Sequence, residues 1–139
     1  MKIYIRICIM ACALFVAACT QPGGSGNVKR YAMVTGIRPE KIDDYKKLHA
    51  AVWDGVVRQI RACNIRNYSI YLREIAGQHY LFSYFEYTGD NFEADMEKMA
   101  ADSTTQRWWK ETAPMQLPLP DAAAKGETWS GMEELMFIP

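Results

Sequence analysis

The sequence predicts an α+β domain in which helices cover one face of a single antiparallel sheet. Two helical patterns separate short segments that are rich in aromatic and β-branched residues, and turn residues bound those segments. Strand-like and helical segments follow one another in the order β-α-β-β-α-β. The length of 139 residues suits one domain with one core and leaves no room for two.

The first strand is predicted over residues 30–37, because Gly36 and Pro39 mark its end. Pro39 and Glu40 then favour the first turn of a helix, which should run for about twenty residues. Apolar side chains recur along it at helical spacing. This stripe consists of Ile42, Tyr45, His49, Val52, Trp53, Val56 and Ile60.

A hairpin and a second helical region follow. Residues 65–73 and 78–87 predict two antiparallel strands joined by a short turn. Asp90 followed by Glu93 is typical of a helix start. Residues 104–112 predict a further turn or two of helix, prolines then mark a loop, and residues 133–138 predict the last strand.

This order is that of the ferredoxin-like fold, with a four-stranded sheet. Alternation along the third strand sets Tyr80, Phe82 and Tyr84 on one face against Leu81, Phe85 and Tyr87 on the other, so both faces carry aromatic residues. A small sheet with two apolar faces needs a second cover. A homodimer that packs sheet against sheet supplies one, so we predict a dimeric α/β barrel; a covering loop is the alternative.

The N-terminal residues predict a bacterial lipoprotein signal. Lys2 and Arg6 precede an unbroken apolar run over residues 7–18, which has the length of a signal-peptide core. The run ends in Val16-Ala17-Ala18-Cys19, which resembles a lipobox. We therefore expect a signal peptide over residues 1–18, lipid on Cys19 and a flexible tether over residues 19–29. An ordinary secretory signal or a short membrane anchor is the alternative.

The mature domain, over residues 30–139, would then be held on a bacterial membrane through its N-terminal lipid only. It would lie in the periplasm or in another extracytoplasmic space. Cys63 would be the one remaining free thiol, and a buried, unreactive role is expected for it.

Composition excludes several functions. The chain has 16 basic and 16 acidic residues, so no excess of positive charge exists to neutralise nucleic-acid phosphates. The two histidines and the one mature thiol do not form a metal-ligand pattern, so we predict no metal site. No Gly-x-Ser-x-Gly sequence indicates a serine nucleophile.

A few residues remain as candidates for chemistry. His49 follows Tyr45 by four residues, so both project from one helical face. His49 is either a hydrogen-bonded core residue or an acid/base group in a cleft. Trp108 and Trp109 are adjacent and therefore point about 100° apart in a helix. They form either a core and interface pair or a wall that stacks on a sugar.

These pieces together resemble the L-rhamnose mutarotase family over residues 30–139. The resemblance is carried by Arg30, Tyr31, Ala32, Pro39, Tyr45, His49, Trp53, Asn67, Tyr68, Ile70, Tyr71, Leu72, Gln106, Arg107, Trp108, Trp109, Lys110, Phe137, Ile138 and Pro139. It implies a dimeric ferredoxin-like α/β barrel that interconverts the α and β anomers of L-rhamnose without a cofactor. It implies that His49 is the proton donor and that Tyr45, Tyr68, Trp108 and Trp109 contact the sugar.

Mutarotation requires one proton to leave the anomeric hydroxyl and another to reach the ring oxygen. We expect His49 to protonate the ring oxygen, while Tyr68, a carboxylate or water remain open as the group that takes the anomeric proton. Ala50-Ala51 stands where better-known members often have Asn-Pro, which allows either another sugar as substrate or a member whose activity has drifted. The alternatives are a non-catalytic sugar-binding lipoprotein and a cofactor-free or haem-linked oxygenase on the same barrel.

Overall fold

The computed structural model describes residues 28–139. The predicted signal peptide over residues 1–18, the lipidated Cys19 and the tether as far as residue 27 lie outside the described residues. Within residues 28–139, no helix is long and apolar enough to cross a membrane.

One antiparallel sheet forms the centre of the fold. Its strands are β1 (Lys29–Ile37), β2 (Ile65–Ile75), β3 (Gln78–Tyr87), β4 (Gln116–Leu117) and β5 (Ser130–Met132). The order is β2-β3-β1-β4, and β5 also pairs with β1. Gly36 and Ile37 pair with β4, whereas residues 32–34 pair with β5. Two short strands therefore share the fourth position of the sheet, and the predicted ferredoxin-like order is confirmed.

The last strand was expected over residues 133–138, and this expectation is wrong. The ladder is made by Ser130–Met132, and the residues after Met132 are exposed and have no regular structure. The apolar composition of this tail is typical of a strand, but Glu134 pairs with the side chain of Arg30 at 2.6 Å instead of extending the ladder.

The helices pack on one face of the sheet. They are α1 (Ile42–Ala50), α2 (Asp54–Ala62), α3 (Phe92–Ala101), α4 (Ser103–Thr112) and α5 (Pro120–Ala123), with 3₁₀ turns at Pro39–Lys41 and Ala113–Met115. Asn91, not Asp90, caps α3, because its side chain accepts a hydrogen bond from the backbone N–H of Ala94 at 3.1 Å.

The predicted long helix is two helices. Ala51 leaves the helical region at φ −137° and ψ 59°, and Trp53 is extended at φ −61° and ψ 133° before α2 begins. Apolar residues continue at helical spacing across this break, so periodicity alone does not reveal it. The break allows the ring of Trp53 to pack edge-on against Trp108, with ring centroids 5.3 Å apart.

A β-bulge interrupts β2 where Tyr68 lies. Arg66 pairs with Glu86 and Ser69 with Tyr84, so Asn67 and Tyr68 together stand opposite a single residue. Asn67 has a positive φ of 51°, as bulges often require. The extra residue shifts the alternation, and Tyr68 therefore packs edge-on against Phe85 on the helix-covered face.

The two faces of the sheet differ in burial. Leu81, Phe85 and Tyr87 are buried beneath the helices, whereas Phe82 and its neighbours on the open face are half-buried. The sheet is thus a curled half-barrel with one covered face, which confirms the predicted α+β class.

Candidate active site

Two adjoining cavities lie between the helices and the covered face of the sheet. Their volumes are about 630 and 720 Å³, which is the size range of small-molecule sites. His49, Tyr68 and Trp108 line both cavities, and Tyr45 and Trp109 line the larger one. The structure therefore brings together all five residues for which the family resemblance implies a role at the sugar.

His49 is held by the last turn of α1. Its Nδ1 lies 2.9 Å from the backbone oxygen of Tyr45. A carbonyl oxygen only accepts, so Nδ1 carries the proton and Nε2 is the acceptor nitrogen of the neutral ring. Burial lowers the pKa of His49 and outweighs the opposing effect of this hydrogen bond. At neutral pH the imidazole is consequently a neutral proton acceptor.

Tyr45 and Tyr68 present phenols to the larger cavity. The ring of Tyr45 stacks on that of His49, with centroids 3.9 Å apart. Burial raises the pKa of Tyr45, and the neighbouring side chain of Gln116 opposes this rise. Although 41% of Tyr68 is exposed, burial of its hydroxyl raises the pKa of that group to about 12. Both phenols are therefore protonated at neutral pH and can donate hydrogen bonds.

The two adjacent tryptophans have different surroundings. Trp108 is 6% exposed and packs edge-on against His49, with centroids 5.2 Å apart. Trp109 is 42% exposed and still lines the larger cavity. Trp108 therefore supports the histidine from within the core, while Trp109 offers an accessible aromatic surface to a ligand.

Part of the cavity wall consists of residues that the sequence did not predict for the site. Gln116, Glu127 and Trp129 come from the chain after α4 and line the larger cavity. Gln116 is 6% exposed and lies in β4, a strand of two residues within a stretch that its prolines mark as a loop. In the sequence, Gln116 differs from its neighbours Met115 and Leu117 only in being polar. This difference alone does not indicate a functional residue.

The remaining reactive side chains lie elsewhere. His79 is near Glu74, at 3.6 Å, and lines neither cavity. Cys63 is fully buried, and burial raises the pKa of its thiol, in agreement with an unreactive role. Within the described part of the chain, no cluster of three His, Cys, Asp or Glu side chains could hold a metal ion.

The arrangement is suited to moving protons on a small molecule that has polar groups. One neutral imidazole accepts a proton, two phenols donate hydrogen bonds, and apolar rings surround them. Acid/base catalysis needs such groups within hydrogen-bonding reach of the reacting atoms.

Comparison with known proteins finds similar sequences. A family model described as L-rhamnose mutarotase matches residues 30–137. An L-rhamnose mutarotase from Bacillus subtilis is 34% identical over 88 residues, which cover 63% of this chain and 80% of the relative. Another from Listeria monocytogenes is 32% identical over 94 residues, which cover 68% of this chain and 86% of the relative.

A solved structure shares the fold. The crystal structure of an L-rhamnose mutarotase from Formosa agariphila matches with a TM-score of 0.60, covering 80% of this chain and 99% of that chain. The two sequences are 20% identical, so this match supports the architecture alone.

Proposed function

This chain belongs to the L-rhamnose mutarotase family, and on that premise we propose that it interconverts the α and β anomers of L-rhamnose or a related 6-deoxy sugar. The observation that carries the proposal is the state of His49. A neutral imidazole with a free acceptor nitrogen faces a cavity that also contains two protonated phenols. Ring opening and closure need groups that take and give protons near neutral pH, and need no other chemistry.

The sugar would bind between polar and aromatic walls. Tyr45 and Tyr68 can donate hydrogen bonds to its oxygens, and Trp109 can stack on an apolar face of the ring. Trp108 and His49 would close the inner end. The methyl group of a 6-deoxy sugar suits such aromatic surroundings better than a hydroxymethyl group does.

Saturation-transfer NMR on equilibrated sugars tests this proposal. We expect the protein to accelerate exchange between the anomeric signals of L-rhamnose, and the acceleration to differ across a panel of 6-deoxy sugars. Sugar binding with exchange at the uncatalysed rate would instead support a binding lipoprotein. A haem absorption band in the purified protein would support the oxygenase.

We further propose that the protein is a homodimer joined through the open face of its sheet. Tyr71 is 63% exposed there and pairs across the strands with the half-buried Phe82. The C-terminal tail adds Leu135 and Met136, which are 87% and 77% exposed. Large apolar side chains that are exposed on a small domain are typical of a protein interface.

Sedimentation velocity of residues 28–139 checks this assembly. We expect a dimer for the unsubstituted domain and a monomer for Phe82→Lys, because a buried unpaired charge opposes association. Lys47→Glu, on the exposed side of α1, is the matched control and should remain dimeric. A monomeric unsubstituted domain would contradict the proposed interface.

For the N-terminal region, we propose cleavage before Cys19 and lipid attachment to its thiol, with the domain on the extracytoplasmic side. The support is the basic start, the apolar run and the small residues that precede Cys19. A lipid anchor of this kind would hold the domain at a membrane surface through its N-terminus.

Metabolic labelling with a radioactive fatty acid in a bacterial host tests the lipid anchor. Label should enter the full-length protein and be lost in Cys19→Ala, which should also leave the membrane fraction. Cys63→Ala is the control, and it should remain labelled because the Cys63 side chain is buried in the domain. Persistent labelling of Cys19→Ala would refute the assignment.

A further inference from the structure

The smaller cavity has a basic wall that the larger cavity lacks. His49, Tyr68 and Trp108 line both cavities, whereas Arg61 and Arg66 line the smaller one alone. Within residues 28–139, no Asp or Glu lines the smaller cavity. The two guanidinium groups are therefore the only permanently charged side chains that this part of the chain contributes to its wall.

Backbone carbonyl groups hold the side chain of Arg66 in place. Its Nη1 donates to the backbone oxygens of Arg61 and Ile65, each at 2.8 Å. These two bonds use both hydrogens of Nη1. The hydrogens on Nε and Nη2 make no hydrogen bond to any of the described residues. That edge of a guanidinium can bind two oxygens of an anion at once.

Arg61 lies beside Arg66, in the last turn of α2. The hydrogen bond from Arg66 to its carbonyl oxygen brings the two residues together. The ion pairs formed among residues 28–139 involve neither arginine. Neighbouring positive charges repel each other, so an anion that contacts both of them would be stabilised by both.

The wall of the larger cavity carries the opposite charge. Glu127 lines it, and no Lys or Arg of the described part of the chain does. An anionic sugar would therefore be repelled by this wall and attracted by Arg61 and Arg66. His49 and Tyr68 line both cavities, so these charges favour one orientation of the sugar across the site.

We propose that Arg61 and Arg66 bind an oxyanion on the sugar, and that the substrates include acidic monosaccharides that carry a carboxylate or a sulfate ester. This inference rests on the proposed mutarotase function and names a substrate class for that site. The anion would be attached away from C1, because the anomeric centre has to reach His49. The arginines would bind and orient the sugar without exchanging protons, since a guanidinium stays protonated in proteins.

Anomer exchange on neutral and acidic sugars tests this inference. Saturation-transfer NMR would compare L-rhamnose with its monosulfate esters and with glucuronate, all of which have a free anomeric hydroxyl. We expect the best acidic sugar to have a KM about tenfold below that of L-rhamnose, the effect of charge-assisted hydrogen bonds. This advantage should shrink when the NaCl concentration rises from about 0.01 to 1 M, because salt screens exposed charges.

Replacing Arg61 with Gln removes one of the two charges. The ratio of the KM for the best acidic sugar to the KM for L-rhamnose should rise about tenfold in Arg61→Gln, while kcat for the acidic sugar changes by less than about threefold. The Arg61 side chain makes no hydrogen bond within residues 28–139, so this variant remains informative if Arg66→Gln fails to fold after losing its bonds to two carbonyl groups.

Arg58→Gln is the matched control. Arg58 is exposed on the same helix and lines neither cavity, so its replacement should leave the ratio of the two KM values unchanged. An equal change in Arg58→Gln and Arg61→Gln would overturn the site, because it would show a general effect of surface charge.

A binding measurement separates this inference from the proposed function. In ¹⁵N-labelled protein, the Nε signals of Arg61 and Arg66 should shift when the best acidic sugar is added, and that of Arg58 should not. Inorganic sulfate at the same concentration should shift them less, because it lacks the contacts of the sugar with the aromatic walls. Equal shifts with inorganic sulfate would indicate a site for free anions and overturn the assignment to acidic sugars.

The remaining contrary results differ for the two proposals. Exchange of L-rhamnose without preference for an acidic sugar, and without shifts of the arginine signals, would overturn the inference and leave the proposed function standing. Absence of exchange with every sugar would overturn the proposed function, and the acidic substrates with it, even where the arginine signals still shift.

Discussion

Replacing His49 with Gln is expected to lower catalysed anomer exchange by about 10²–10⁴-fold, the usual contribution of one acid/base group. Gln can keep polar contact with the cavity, but it cannot take up a proton at neutral pH. Saturation-transfer NMR with L-rhamnose measures the effect directly. The binding of the sugar, followed by chemical-shift changes, should persist, because Tyr45, Tyr68 and Trp109 remain in the wall.

His79→Gln provides the matched control for this experiment. It removes the other histidine of the chain, which lies beside Glu74 and outside both cavities. Its exchange rate should equal that of the unsubstituted protein. Full activity in His49→Gln, or an equal loss in both variants, would exclude His49 as the proton-exchanging group.

The pH dependence of the unsubstituted protein follows from the same residue. Burial lowers the pKa of His49 below its usual value of 6.5, so the neutral, proton-accepting form dominates at and above that pH. The rate should therefore stay level from pH 6.5 to 8 and fall only under more acidic conditions, as the ring gains a proton. His49→Gln should lack this fall.

Replacing Trp108 with Ala should produce the largest loss of stability in the site. The side chain is 6% exposed and contacts both His49 and Trp53. Truncation of a buried aromatic residue costs about 3–5 kcal/mol, a large share of the 5–15 kcal/mol that stabilises a typical domain. Thermal unfolding followed by circular dichroism should show a decrease in Tm of at least about 10 °C.

The variant Trp109→Ala should be compared with Trp108→Ala. Trp109 is 42% exposed, so its truncation should change the free energy of unfolding by less than about 1 kcal/mol. We expect a weaker affinity for the sugar instead, by roughly 3–10-fold, which corresponds to one aromatic contact. Equal destabilisation by the two substitutions would contradict the division between a supporting and a ligand-facing tryptophan.

The parts of the fold that depend on local pattern could be predicted from the sequence. The hairpin of β2 and β3 and the amphipathic character of α1 and α2 both follow from residue periodicity. The break at Ala51 could not be predicted, because the apolar spacing from His49 to Val56 continues through it. Nor could the short β5, since Ser130 and Gly131 have low strand propensity and pair only because β1 offers a free edge.

The candidate site likewise contains residues that local sequence pattern predicts and residues that it does not. His49 and Tyr45 share a helical face, and that relation could be predicted from a spacing of four residues. Tyr68 reaches the cavity only through the bulge at Asn67, a feature of backbone geometry that strict alternation hides. Gln116 and Trp129 reach it through long-range pairing with β1, and no local signal encodes such contacts.

The divided fourth strand has a consequence for how this protein could diversify. Because β4 and β5 are anchored to β1 separately, the connection between them can change in length or sequence while both ends keep their hydrogen bonds. That connection carries Glu127 and Trp129 into the cavity wall. Changes in the exposed part of this connection can therefore alter the shape of the cavity while Tyr45 and His49 on α1 stay in place.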